Sequence, residues 1–253
     1  MKNINVILIF WSSLIFSLLL IYFVVFLFLY KKLKRNEFFS DFHHDVEMFV
    51  ITMKDKDRLE NIETQQNKIG KSNQIQTFDA IVGKNVNAEE LITTGVLNEK
   101  YKHPSHLNYG EIGCYLSHLN LLKSVKKREG YTIIFEDDFD IKDTEFIKHI
   151  NSIIKSIKNQ FDIIFLGNLN DNHGEHIVDD IYKIDKGNWM WGTHAYLVNN
   201  ENIDHIVDNM KRMTSAIDDM YETNAKMEIL NICLIYPIMV DQIRGDIIPS
   251  TIR

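Results

Sequence analysis

Four carboxylates crowd into five positions, Glu136-Asp137-Asp138-Phe139-Asp140. Three adjacent acids and a fourth two places on repel one another, so without a cation some of them hold raised pKa values. A hard divalent cation offsets that repulsion and prefers oxygen ligands. Taken alone, such a run also fits a solvated acidic turn. Its position favours the first reading. It follows Tyr131-Thr132-Ile133-Ile134-Phe135, whose β-branched and aromatic residues predict a buried strand. In open α/β sheets, ligands bind outside the carboxyl ends of the strands. A Mg²⁺ or Mn²⁺ ion held there would act as a Lewis acid and stabilise negative charge that develops on a bound ligand.

The elements that must position these acids can be read outward from them. Met48-Phe49-Val50-Ile51-Thr52 predicts a first buried strand, with helical character from Asp55 to Lys68 and a stop at Gly70. Gln74 to Phe78 predicts a second strand closing at Asp79, and Ile81 to Asn108 a loop with a short helix around Glu89. Gly110 to Arg128 predicts a helix, because Ile112, Tyr115, Leu116, Leu119, Leu122 and Val125 recur at spacings of three and four. Beyond the acids come a helix over 143–157, a strand over 161–166, a strand over 191–198, helices over 200–213 and 217–225, and a strand over 229–236. Alternating strands and helices predict an α/β domain with a largely parallel sheet.

Val6 to Tyr30 carries no charged residue, and an apolar run of roughly 25 residues can cross a bilayer as a helix with some tilt. It is too long for a signal peptide, and no small-residue cleavage site follows it. The expected organisation is therefore a transmembrane anchor over 6–30, a juxtamembrane tether over 31–46 and a folded domain over 47–253. Lys31, Lys32, Lys34 and Arg35 follow the span and only Lys2 precedes it, which predicts a single-pass membrane protein with its domain in the cytoplasm. The chain has no Asn-x-Ser/Thr acceptor, in keeping with that orientation, and a lumenal domain is the alternative. A net charge of −7 argues against nucleic acid as a partner. Two cysteines, Cys114 and Cys233, make neither a disulfide framework nor a zinc cluster at short spacing, and read as reduced, packed thiols.

Two blocks carry a family resemblance. Gly110-Glu111-Ile112-Gly113-Cys114-Tyr115-Leu116-Ser117-His118, followed by Ile134-Phe135-Glu136-Asp137-Asp138, closely resembles glycosyltransferase family 25. Further pieces resemble it in order: Val50-Ile51-Thr52 with Asp57-Arg58, Phe78-Asp79-Ala80, Trp191 to Val198, Ile217-Asp218-Asp219, and Pro237 to Gln242. The resemblance implies a Rossmann-type, GT-A-like fold that binds a nucleotide sugar. It also implies inverting transfer of a hexose, most often galactose, from a UDP-sugar to a glycan, lipid-linked or protein hydroxyl. Asp138 is then the expected metal ligand, and Asp140 gives a second possible Asp-x-Asp pair with it, which pair operates being open. Glu136 and Asp137 support the metal or contact the ribose. Thr52, Arg58, Asp79, Ser117, His118, Gly192 and Thr193 are the further residues expected around the donor.

Inversion needs a base for the acceptor hydroxyl. Asp218, Asp219 and Glu111 are the candidates, each near a helix start where the macrodipole alone also favours an acid. Trp189, Met190 and Trp191 read either as a sugar platform or as core. The alternatives to an enzyme using a sugar donor are an inactive relative serving as a membrane-bound binding partner, and a metal-dependent phosphohydrolase.

Overall fold

Runs of branched and aromatic residues become strands, and alternate residues of each run enter different cores. The computed structural model describes residues 19–27 and 45–243, except 71–72, 127, 158–159, 171, 185–186 and 188. Its strands are β1 (Val46–Thr52), β2 (Ile75–Asp79), β3 (Tyr131–Glu136), β4 (Phe139–Ile141) and β5 (Ile163–Phe165), then β6 (His176–Val178), β7 (Ile181–Lys183), β8 (Ala195–Asn199), β9 (Ile232–Ile235) and β10 (Val240–Gln242). Eight of them form one sheet in the order β2-β1-β3-β8-β5-β9-β7-β6, while β4 pairs with β10 alone. The β3–β8, β5–β8, β7–β9 and β6–β7 pairs are antiparallel, so only β8 and β7 run against the rest. The sheet is α/β as expected and mostly parallel in strand direction, with β8 reversed at its centre.

Two hydrophobic cores flank the sheet. Phe49, Ile51, Ile134, Phe165 and Tyr196 belong to one, and Met48, Val50, Ile133, Phe135 and Leu197 to the other, the period of two that a doubly covered sheet requires. The first core is closed by α3 (Tyr109–Val125), α5 (Ile203–Met210) and α6 (Ile217–Lys226), with α2 (Ala88–Thr93) at its margin. The second is closed by α4 (Phe146–Ile157) and by Ile62 and Ile69 of α1 (Lys56–Ile69). Asn108 caps α3, its Oδ1 accepting from the backbone N–H of Gly110 and Glu111. Burial of α3 reaches beyond the predicted stripe to Ser117, His118 and Leu121, so it is a central helix with little amphipathic contrast.

Several boundaries differ from expectation. The strand predicted over 191–198 begins at Ala195, and the helix predicted over 200–213 shortens to α5 after a 3₁₀ turn. β4, β6, β7 and β10 were not expected; each has three residues, too few for a period to show.

The chain divides into two compact units, residues 1–40 and 41–253. In the first, residues 19–27 are helical and expose apolar side chains, among them Leu19, Phe23 and Phe26. The rest of the predicted 6–30 span, and the tether as far as 44, lie outside the described residues. Among the described residues, no helix is long and apolar enough to cross a membrane.

Candidate active site

The carboxyl ends of β1, β2 and β3 finish level with one another, Thr52 opposite Asp79 and Ile51 opposite Glu136. Because β8 is antiparallel to β3, its amino end arrives at the same edge, and the Glu136 N–H donates to the His194 carbonyl at 3.0 Å. A cavity of about 600 Å³ opens there, lined by Arg58, Cys114, His118, Glu136, Asp138 and Gln242 among others. It is large enough for a nucleotide-sized ligand. On the far wall, α3 approaches the 81–83 loop so closely that a Cβ on Gly83 would fall on the Tyr109 carbonyl. The Ser117 hydroxyl binds the same loop, accepting from Ile81 N–H at 2.8 Å and donating to the Gly113 carbonyl at 2.7 Å. Ser117 thus holds the wall together.

One face of α1 grips the acidic turn. Arg58, Asn61, Gln65 and Lys68 recur at helical spacing, and the first three are buried. Arg58 forms a buried ion pair with Asp137. Asn61 Nδ2 donates to the carbonyls of Asp137 and Phe139, at 3.0 and 2.9 Å, and Gln65 Oε1 accepts from Ile141 N–H at 3.0 Å. Lys68 and Lys142 pair with Asp140 at 2.6 and 2.5 Å. Burial works to raise Asp140, but the two ammonium groups hold it below its ordinary pKa. Asp138 lines the cavity, whereas Asp140 does not and is paired with the two lysines.

Asp138 is different. Its carboxylate is buried, Oδ2 accepts from Gln242 Nε2 at 2.9 Å, and Oδ1 has no hydrogen-bond partner among the described residues. Burial, then the neighbouring Glu136 charge, push its pKa up to about 6. Burial would raise Glu136 as well, but the His118 imidazole and the Thr193 hydroxyl hold it below its ordinary value. Thr193 Oγ1 donates to Glu136 Oε1 at 2.5 Å, and His118 Nε2 lies 3.2 Å from the same oxygen. His118 Nδ1 meets the Tyr196 hydroxyl at 2.8 Å. An orphaned, buried carboxylate oxygen beside a second carboxylate suits a hard divalent cation.

The remaining predicted residues fall at the edges. Thr52 is buried, its Oγ1 accepting from Lys54 N–H at 2.9 Å, and Asp79 is exposed and paired with Lys54; neither lines the cavity. Gly192 has φ +89°, open to glycine at little cost, and its N–H donates to Asp218 Oδ2 at 3.1 Å. Asp218 Oδ1 also accepts from Asp219 N–H, at 3.0 Å. Glu111 accepts from the capping Asn108 at 2.8 Å. Asp219 is exposed, and partial burial with the charges of Asp218, Glu222 and Glu111 raises its pKa. The three candidate bases therefore share one acidic neighbourhood beside the cavity rather than lining it. Met190 is fully buried, whereas Trp189 and Trp191 are exposed, which divides the predicted platform between core and surface.

Sequence reasoning missed Asn61, Gln65 and Gln242 as parts of the site. The first two sit in a polar row on α1 whose burial only the fold reveals. Gln242 reaches Asp138 only because β10 pairs with β4, placing Gln242 opposite Phe139.

The family model described as glycosyltransferase family 25 (LPS biosynthesis protein) matches residues 45–221. The chain is 27% identical over 162 residues to procollagen galactosyltransferase 1-A of Xenopus laevis, covering 60% of this chain and 26% of that one. It is 32% identical over 146 residues to a glycosyltransferase 25 family member of Drosophila melanogaster, covering 54% and 23%. It is 31% identical over 130 residues to inactive glycosyltransferase 25 family member 3 of Mus musculus, covering 48% and 22%. The chain thus spans about a quarter of the length of these relatives.

Proposed function

Because this chain belongs to glycosyltransferase family 25, we propose that it is a metal-dependent, inverting hexosyltransferase using a UDP-sugar, with galactose the expected sugar. The observation that carries this reading is Asp138 Oδ1, buried beside Glu136 on the wall of a nucleotide-sized cavity and without a hydrogen-bond partner among the described residues. Asp138 would hold a Mn²⁺ or Mg²⁺ ion, which supplies Lewis-acid stabilisation of the diphosphate leaving group. Glu136, held by Thr193 and His118, orients the adjacent edge of the cavity toward the donor. Arg58 acts through Asp137, fixing the acidic turn, and Lys84 adds positive charge to the cavity wall.

The acceptor oxygen attacks the anomeric carbon as the bond from that carbon to the diphosphate oxygen breaks, and the configuration inverts. The hydroxyl proton passes to a carboxylate. Asp219 suits that role better than Asp218 or Glu111, whose oxygens already accept hydrogen bonds. Its raised pKa makes it a stronger proton acceptor than an ordinary aspartate. The acceptor is a glycan, lipid-linked or protein hydroxyl, and residues 6–30 anchor the enzyme to a membrane with its domain on the cytoplasmic side.

A second reading is a non-catalytic binding protein, since a relative named as inactive is as similar as the others. UDP release from UDP-galactose and UDP-glucose, with and without Mn²⁺, tests the two. Metal-dependent release lost in Asp138→Ala supports the enzyme. Folded protein that neither releases UDP nor binds UDP with Mn²⁺ refutes it.

A further inference from the structure

Cys114 and His118 lie four residues apart on α3, on one face of the helix, and both line the cavity. Glu136 meets them from the end of β3. One donor atom from each of the three lies within 4.8 Å of the other two. The His118 ring is fixed from behind, with Nδ1 at 2.8 Å from the Tyr196 hydroxyl, the two rings stacked at 5.6 Å, and Nε2 turned toward Glu136. Metal-bound histidines are held through their second nitrogen in this manner. Ligands around tetrahedral zinc stand about 3.5 Å apart, given its bond lengths. The trio must therefore close by at most about 1 Å, and His118 Nε2 already lies 3.2 Å from Glu136 Oε1.

We propose that Cys114, His118 and Glu136 form a second cation site, for a borderline-soft divalent ion of the zinc type. Sulfur and imidazole ligands select such an ion over Mg²⁺ or Mn²⁺, which suit the oxygen donors at Asp138. Three protein ligands leave a fourth position facing the cavity. On binding, the Cys114 thiol releases its proton to solvent, and Sγ, the imidazole nitrogen and a carboxylate oxygen each donate a lone pair. The His118 proton resides on Nδ1 and is donated to Tyr196, and no group is oxidised or reduced. The ion would draw Glu136 away from Thr193. Antagonism of donor use follows from that and rests on the transferase reading; the binding site does not.

Co²⁺ serves as the spectroscopic probe, with the full-length chain in mild detergent. The expected result is a sulfur-to-cobalt charge-transfer band with the visible bands of a four-coordinate ion, displaced by Zn²⁺. The chain holds only two cysteines, so Cys114→Ser must abolish the band while Cys233→Ser retains it. Tyr196→Phe should weaken Co²⁺ binding by about 10–100-fold while keeping the band, as loss of such a supporting hydrogen bond does. Absence of the band from folded wild-type protein overturns the proposal, as does its persistence in Cys114→Ser. A cobalt band without any UDP release would uphold this site and count against the transferase reading instead.

Discussion

Replacing Asp138 with asparagine removes one ionisation and almost no volume, which makes the electrostatic cost of this carboxylate measurable. The side chain titrates at about 6 in the folded protein against an ordinary 3.8. The folded state therefore holds the proton more tightly than the unfolded chain. Stability from this group is present at low pH and is lost as pH rises from the ordinary value through about 6. At about 1.4 kcal/mol per pKa unit, the ionised carboxylate costs the fold about 3 kcal/mol above that window. Asparagine keeps an acceptor for Gln242 and no longer repels Glu136. In EDTA at pH 7.5, urea denaturation should show Asp138→Asn more stable than wild type by about 1–3 kcal/mol. The gap should shrink toward zero near pH 4. Mn²⁺ should stabilise the wild type by about 2.7 kcal/mol at a hundred times its dissociation constant and leave the variant unmoved. An asparagine variant no more stable than wild type at pH 7.5, or a gap independent of pH, would refute the reasoning.

Arg58→Met strands the Asp137 carboxylate in a buried position and should cost about 3–5 kcal/mol in urea denaturation, with Asp137→Asn on that background restoring much of the loss. Gly83→Ala drives a methyl into the Tyr109 carbonyl and should destabilise by at least about 1–3 kcal/mol. Gly95→Ala, where nothing approaches the methyl and only the positive φ opposes it, should cost about 1–2 kcal/mol in the same assay. Asp140→Ala should keep metal-dependent UDP release within about tenfold of wild type, a change of about 1.4 kcal/mol in barrier, because that acid faces lysines. Protease protection in sealed vesicles should leave the folded domain digestible from the cytoplasmic side if the charges of Lys31 to Arg35 set orientation.

The long elements were legible because each repeats its signal. β1 and β3 are unbroken branched runs, and α3 carries six apolar residues at helical spacing. The acidic turn was legible because it directly follows β3. What surrounds it was not. Lys68 lies 72 residues from Asp140, so the pairing that engages this acid could not be read from either stretch. The polar row of α1 resembles a solvated helix face in sequence, since burial of Asn61 and Gln65 depends on the turn they hold. The Cys114–His118–Glu136 grouping escaped the spacing rules for metal sites because its third member comes from another element.

The pairing of β10 with β4 gives a strand far along the chain a say in when the site is complete. Gln242 is 104 residues beyond the carboxylate it holds, and Val240 seals the core against Ile141. During synthesis, β1, β3 and α1 can assemble around the acidic turn long before β10 leaves the ribosome. At that stage Asp138 has no Gln242 to receive. The hydrogen-bonded surroundings of Asp138 are therefore complete only once β10 is in place, and a chain interrupted before Val240 would carry the acidic turn without its closing partner.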